Sequence, residues 1–455
     1  MIQKINTLKK DIKNKKITII GAGISGQGAA LLANLLGAKV LISDIKKPKK
    51  INKNLNNKNI VLEFGKHSKK CLDADFIIVS PGINLNKIKI LKNIDINKTP
   101  IISEIEFASW FTKSPIIAVT GSNGKSTVVK LLYTIFKKNF SNVLLGGNIG
   151  NSLSENIIFE KNNTVSDIHI VEVSSFQLEN IFTFKPKVSC VINITEDHME
   201  RYDDIQDYVE AKFKITKNHD NETFIVYNED DSRLKKYYQK YINNRPFSLR
   251  KNIFDVFVDK TYITIKDSND KISLEEIQLI GSHNYYNIIS AITIAKIFNI
   301  KNKMILKALK EFKPLKHRLE KLQKYDGINF INDSKGTNIF STKAAINSFK
   351  KNIILILGGS KGKIENSIFE DVLNKKHIIH IVCYGEAGKE LTAIFNKTKP
   401  TKYRLLFKDA VIKAIKLAKK DDTILLSPAF KSYDQFNNFE ERGNKFEDII
   451  KHYYA

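Results

Sequence analysis

The run Thr120-Gly121-Ser122-Asn123-Gly124-Lys125-Ser126-Thr127 follows the apolar stretch Ile116 to Val119. It precedes Val128, Leu131, Leu132, Ile135 and Phe136, which are spaced as one face of a helix. A strand, a glycine-bearing turn and a helix in that order make a phosphate cradle, because backbone N–H groups and the helix N-terminus converge on one spot. Gly121 and Gly124 let the backbone approach an anion, Lys125 reaches the terminal phosphates as a point charge, and Ser126 is placed to ligate Mg²⁺. The strict GxxxxGK[ST] pattern is not met, since Val119 stands where its first glycine belongs. The bland alternative is a glycine turn that holds nothing. The order strand, Gly-Lys-Ser, well-phased helix argues against it.

A second glycine turn, Gly21-Ala22-Gly23-Ile24-Ser25-Gly26, fits GxGxxG, and Asp44 ends the next apolar strand. Alone this predicts a nicotinamide or flavin enzyme. A hydride-transfer enzyme has no need of an ATP loop downstream, so the turn reads better as the seat of another nucleotide diphosphate. Tight helix-on-strand packing is the ligand-free reading. Glu172 lies at the end of the strand Ile168 to Val173 and is positioned to hold Mg²⁺. The strand Val188 to Ile192 runs toward a polar cluster that includes Glu196, Asp197 and His198, beyond a strand's carboxyl end, where α/β sheets bind ligands. His198 is there a candidate metal ligand. Lys212 reads from its own context as a surface lysine on a helix.

These residues need a scaffold. Ala29, Leu32, Ala33 and Leu36 phase as a helix between the strands Ile17–Ile20 and Val40–Ile42, which makes a βαβ unit. Apolar strands alternate with helical patterns through the rest of the chain, and a Thr/Ile-rich alternating stretch lies at about residues 252–273. This predicts α/β with parallel sheets throughout, plus a small antiparallel piece. A length of 455 residues implies two or three domains. The net charge of +26 invites a nucleic-acid reading. The lysines are spread along the chain, however, and a solvated surface that favours polyanionic small substrates is the simpler account. Cys71, Cys190 and Cys383 fit no metal or redox spacing, which suggests a reduced compartment. No apolar run is long enough to span a bilayer, and the Lys-rich start does not read as a signal peptide.

At this point a family resemblance is visible. TGSNGKST, GGNIG (Gly146 to Gly150), VEVSSFQLE (Val171 to Glu179), NITEDHMERY (Asn193 to Tyr202) and EAKFKI (Glu210 to Ile215) resemble the Mur ligase family. HNYYN (His283 to Asn287), HRLE (His317 to Glu320), NDSKGTN (Asn332 to Asn338) and SYDQFNNFEERG (Ser432 to Gly443) continue it in order. The resemblance is strongest to the branch that adds D-glutamate to UDP-N-acetylmuramoyl-L-alanine with ATP. Folylpolyglutamate synthase shares the ATPase part, but lacks a UDP-binding domain ahead of it.

The resemblance implies three domains: a Rossmann-like one over 1–103 for the UDP substrate, a P-loop-type ATPase over 104–314, and a Rossmann-like one over 315–455 for the amino acid. Ile24, Ser25, Asp44, Ile45, Lys46, Ser80 and Gly82 would hold the UDP moiety, and Asn148 and Gln177 the sugar-peptide end. Gly121, Ser122, Asn123, Gly124, Lys125, Ser126, Thr127, Asn287, Arg318 and Asp333 would bind ATP. Two Mg²⁺ ions are implied, one on Ser126 and Glu172 and one on His198. Lys212, read as a carbamylated lysine, would orient the metal, and catalysis would rest on Lys125, His198 and Lys212. Thr337, Lys361, Ser432 and Phe439 would take D-glutamate. The chain departs from the family at Ser360-Lys361-Gly362-Lys363, where an Asp usually precedes the Lys, so the contact is Lys361 or Lys363. It departs also at Tyr433 and Ile45. A cytoplasmic monomer with no nucleic-acid or membrane partner is the accompanying expectation.

Overall fold

The computed structural model describes residues 1–92, 94–195, 201–251, 254–259, 261–266, 268–279, 281–362, 369 and 375–455. The chain forms two compact units, Met1–Leu274 with Tyr286–Glu311, and Glu275–Tyr285 with Phe312–Ala455. The α/β class holds. Among the described residues no helix is long and apolar enough to cross a membrane.

The first unit carries three sheets. The first consists of β1 (Lys16–Ile20), β2 (Lys39–Asp44), β3 (Ile60–Phe64), β4 (Phe76–Val79) and β5 (Ile101–Ser103). Its order is β3-β2-β1-β4-β5, all parallel. β1 therefore sits where the chain reverses direction across the sheet, and the turn after it opens into the crevice between β2 and β4. The second sheet has β6 (Ile116–Thr120), β7 (Val143–Gly147), β8 (Ile168–Glu172), β9 (Val188–Val191), β10 (Phe224–Asn228) and β11 (Asn244–Phe247). It is ordered β11-β10-β9-β6-β8-β7, again parallel. β6 lies between β8 and β9 and is buried along its whole length, as continuous apolar strands in parallel sheets are. Helix Lys125–Phe136 covers it with Val128, Leu131, Leu132, Ile135 and Phe136. Each such fully buried side chain contributes roughly 1.5–3 kcal/mol. The third sheet is the expected antiparallel piece: β12 (Val256–Val258), β13 (Tyr262–Ile265) and β14 (Asp270–Ser273).

The second unit holds β15 (Glu320–Lys321), β16 (Asn329–Asn332), β17 (Ile353–Gly358), β18 (Ile378–Tyr384), β19 (Thr401–Arg404) and β20 (Thr423–Ala429). The order is β15-β16-β20-β17-β18-β19. The expectation of wholly parallel sheets is corrected at one edge, because β15 pairs with β16 antiparallel. β20 is inserted between β16 and β17, so the loops leaving these three strands emerge side by side.

Two glutamates tie the first sheet to the second. Both sit on helix Glu104–Ser109, which follows β5 directly. Glu106 accepts hydrogen bonds from the backbone N–H groups of Phe182, Thr183 and Phe184 at 2.7–3.0 Å, and from the Trp110 indole at 2.9 Å. Glu104 is less well supplied. Its Oε1 accepts from the Ser154 amide at 2.6 Å, while its Oε2 is buried with no hydrogen-bond partner. Burial pushes this carboxyl up to about 7 from the usual 4.5.

The sign of the linkage follows from that shift. The contribution of Glu104 to stability is fully present below pH 4.5. It is lost as pH rises through 7, because the folded chain then holds a buried charge that the unfolded chain does not. The span corresponds to about 3 kcal/mol. Glu104→Gln, which stays neutral, should match the wild type near pH 5 and melt at a higher temperature near pH 8. Thermal melts giving the same difference at both pH values would refute this.

Candidate functional site

The phosphate loop is built by its neighbours as much as by its own residues. Gly121 adopts φ +152° and Gly124 φ +89°, the latter as the N-cap of helix Lys125–Phe136. A Cβ on Gly124 would come within 2.3 Å of the Asn287 Oδ1, so Asn287, 3% exposed, stands against the loop. The loop is laced to the end of β9. The Asn123 amide donates to the Asn193 Oδ1 at 2.9 Å, and Asn193 returns a bond to the Asn123 carbonyl at 3.0 Å. Ser122 Oγ donates to the Thr195 carbonyl at 2.8 Å and lies 3.0 Å from the Tyr208 hydroxyl. Ser126 and Thr127 are buried at the start of the helix.

Two lysines converge on one carbonyl of this loop. Lys125 Nζ donates to the Gly121 carbonyl at 2.7 Å and to that of Ser122 at 2.9 Å. Lys212 Nζ donates to the same Gly121 carbonyl at 3.1 Å. Lys212 belongs to helix Ile205–Phe213, is 1% exposed, and has its ammonium 4.5 Å from the Tyr208 ring centroid. The reading of it as an ordinary surface lysine is corrected. Tertiary packing has brought the inner face of its helix onto the loop.

Glu172 stands at the end of β8, in register with Val119 of β6. It is 2% exposed. Its Oε1 accepts from the Asn148 side chain at 2.9 Å, while its Oε2 is buried without a hydrogen-bond partner. A buried carboxylate oxygen left in that state is costly unless a cation takes it. Ser126 and Glu172 thus fit a divalent metal with oxygen ligands. Gln177 is in a similar condition. Its Oε1 caps the short helix Ser175–Leu178, and its buried Nε2 has no partner. His198, the other metal candidate, lies outside the described residues.

The glycine turn after β1 is a second prepared surface. A Cβ on Gly26 would fall 1.9 Å from the Gly21 carbonyl, so only glycine fits. Asp44 holds the turn: its Oδ2 accepts from the Ala22 amide at 2.8 Å and its Oδ1 from the Lys46 amide at 2.9 Å. Each oxygen keeps a second lone pair for a ligand. Ser80 Oγ donates to the Gly21 carbonyl at 3.0 Å, and nothing lies within 4 Å of a Cβ placed on Gly82. Ile24 and Ser25 belong to the turn itself and Ile45 follows Asp44; the two isoleucines are 67% and 60% exposed.

The second unit gathers the remaining candidates. Asp333 follows β16 and receives Ser427 Oγ at 2.6 Å and the Leu319 amide at 3.3 Å. Burial raises its carboxyl to about 7, against the pull of the nearby Arg318. Thr337, Lys361 and Ser432 lie on the loops after β16, β17 and β20, and Phe439 opens helix Phe439–Tyr454. The Lys361 amide donates to Glu386 Oε2 at 2.9 Å, whereas Lys363 lies outside the described residues.

One residue that the sequence reading passed over organises this group. Arg442 is fully buried. Its guanidinium donates to Ser334 Oγ at 2.9 Å, the Ser334 carbonyl at 2.7 Å, the Tyr384 hydroxyl at 3.0 Å and the Phe430 carbonyl at 3.1 Å. Ser334 in turn donates to the Phe439 carbonyl at 2.8 Å, and the Lys335 ammonium sits 3.9 Å from the Phe439 ring centroid. The signal available in sequence was phase. Arg442 falls on the same helix face as Phe446 and Ile449, which are both buried.

Comparison with known proteins identifies the family to which the chain is similar. Family models match in three blocks: the MurD N-terminal domain over residues 16–87, the Mur ligase middle domain over 119–295, and the Mur ligase glutamate ligase domain over 317–430. The chain is 38% identical over 453 residues to a UDP-N-acetylmuramoylalanine–D-glutamate ligase of Bacteroides thetaiotaomicron, covering 96% of this chain and 99% of the relative. It is 36% identical to the one of Thermoanaerobacter sp., with 97% and 99% covered. In fold it is similar to a pseudomurein peptide ligase type C from Methanothermus fervidus (TM-score 0.61, 21% identity, 97% and 100% covered). It is similar also to a MurF ligase of Thermotoga maritima solved in complex with ADP (TM-score 0.62, 16% identity, 98% and 97% covered).

Proposed function

The chain belongs to the Mur ligase family and is an ATP-dependent ligase of peptidoglycan synthesis; we infer that it joins D-glutamate to UDP-N-acetylmuramoyl-L-alanine in the cytoplasm, acting as a monomer. The observation that carries the ATP chemistry is the phosphate loop at the end of β6, beside a buried Glu172 oxygen that lacks a protein partner. We place the domain boundaries at 103/104 and 314/315.

A carboxylate is a poor electrophile, so the acid must be activated before an amine can take it. The L-alanyl carboxylate oxygen attacks the γ-phosphorus of ATP, the bond to the β-phosphate oxygen breaks, and ADP leaves with that electron pair. Lys125 and the N–H groups of Gly121, Gly124, Ser126 and Thr127 position and stabilise the transferring phosphoryl group, while Ser122 and Asn123, whose amides donate to Asn193, shape the turn. Asn287 holds the loop in shape, and Arg318 and Asp333 are the further residues we assign to ATP. Ser126 and Glu172 would hold one Mg²⁺ and His198 a second. Bound there, the metal would neutralise charge on the phosphate oxygens.

The D-glutamate amine, once deprotonated, attacks the acyl carbon of the resulting acyl phosphate, and phosphate departs with the carbon–oxygen bonding pair. Thr337, Lys361, Ser432 and Phe439 would present the amino acid. Ile24, Ser25, Asp44, Ile45, Lys46, Ser80 and Gly82 would hold the uridine diphosphate, with Asn148 and Gln177 along the sugar and alanyl arm. The partnerless Nε2 of Gln177 and the exposed Ile24 and Ile45 support those roles. Carbamylation would turn Lys212 from a cation into an anion able to orient Mg²⁺, which an ammonium cannot do.

The test supplies ATP, Mg²⁺, UDP-N-acetylmuramoyl-L-alanine and a panel of amino acids, and follows phosphate release. Release should depend on the nucleotide-sugar acid and on D-glutamate together. Release with another amino acid and none with D-glutamate would reassign the C-terminal site.

A further inference from the structure

We propose that Arg201 is a positioning residue that couples binding of the nucleotide-sugar at the first glycine turn to the geometry of the phosphate loop. The proposal rests on the assignment of those two sites made above.

Arg201 does not reach either site itself; it joins the segments that form them. Its Nη1 donates to the Ile83 carbonyl at 3.0 Å. Ile83 directly follows Ser80-Pro81-Gly82, and its amide donates to the Ser80 carbonyl at 3.0 Å. Its side chain packs so near Gly21 that a Cβ on that glycine would lie 3.0 Å from it. On its other side the guanidinium forms a two-pronged ion pair with Glu179, at 2.6 Å from Nη2 and 3.1 Å from Nε. These side chains are only 13% and 23% exposed, so the pair is shielded from much of the solvent screening. The same guanidinium lies 4.4 Å from the centroid of the Phe176 ring.

From this knot the contacts run to the phosphate loop without a gap. Tyr202 donates its hydroxyl to Glu179 Oε1 at 2.8 Å and stacks on Phe176, with centroids 5.9 Å apart. It also meets Tyr208 edge-on at 5.4 Å. Tyr208 contacts Ser122 Oγ through its hydroxyl and carries the Lys212 ammonium on its ring. A shift of the turn at Ile83 is thus passed through a planar guanidinium and three packed rings, one pair stacked and one edge-on, to the loop that would hold ATP. Coupling needs contiguous packed groups of this kind together with a measured interaction between the ends. The fork geometry matters, because a lysine offers one point charge where Arg201 offers three directed contacts.

The experiment measures the affinity of the full chain for a non-hydrolysable ATP analogue, with and without saturating UDP-N-acetylmuramoyl-L-alanine, and the reciprocal pair. Wild type should show a ratio of about fivefold or more, equal in both directions as linkage requires. Arg201→Met should bring the ratio to within about twofold of unity, Arg201→Lys should fall between, and Tyr202→Phe should weaken it without removing it. Should Arg201→Met fail to fold, the lysine and phenylalanine variants decide. Independent binding of both ligands by wild type would overturn the coupling while leaving the sites standing. So would an unchanged ratio in Arg201→Lys and Tyr202→Phe. A wild-type protein that binds neither ligand would overturn the site assignment itself, and this proposal with it.

Discussion

Lys125→Ala should suppress ADP formation by at least about 10²- to 10³-fold while the protein stays folded. Lys125 opens helix Lys125–Phe136, and alanine is favourable in a helix, so the backbone has no reason to change. What disappears is the ammonium now held over the turn by the carbonyls of Gly121 and Ser122. Those two bonds are part-buried, and their loss costs about 1–2 kcal/mol of stability. A thermal melt should therefore move by only a few degrees. Steady-state ADP release with both other substrates present is the measurement, and near-normal turnover would remove Lys125 from the phosphoryl-transfer step.

The second large effect concerns Lys212. Its ammonium is buried against Tyr208 and the Gly121 carbonyl, at the inner edge of the phosphate loop. As a carbamate it would present two oxygens at that place, formed when the neutral amine attacks carbon dioxide and releases a proton. Lys212→Ala should lower activity on the order of 10- to 100-fold, the usual cost of removing a group that orients a metal. It also leaves a channel the width of a lysine stem. Acetate or propionate added to the assay should enter it and restore part of the rate in the variant alone. Full activity without any addition would end the carbamate idea. A loss that no small carboxylate repairs would make Lys212 a packing residue.

How much of this could be read in the chain depended on whether a residue's task was local. The phosphate loop was legible because strand, turn and helix are consecutive. Strands at sheet edges escaped. β11 carries Pro246 and β19 is mostly polar, so neither shows a continuous apolar run. β7 escaped because it ends in Gly146-Gly147, which reads as a turn. Asn287 could be placed only by resemblance, since 162 residues separate it from Lys125 in sequence and it lies against the loop only in the fold. Lys212 and Arg442 look like solvated charges because their burial is decided by distant elements. The lysine pairs Lys16 with Asp73 and Lys324 with Asp421 are largely exposed and contribute little.

Arg442 has a consequence for the order in which the protein matures. The residues it fastens, Ser334, Tyr384 and Phe430, precede it by 108, 58 and 12 positions. A nascent chain emerging from the ribosome therefore exposes those loops well before their common anchor arrives, and a guanidinium can settle in an apolar interior only when its acceptors are already near. The loops proposed to take the amino acid should accordingly be the last to acquire their shape, on the order of tens of seconds after the loop at Lys125 has been made, which would leave a newly made molecule able to hold nucleotide before it can recognise an amine.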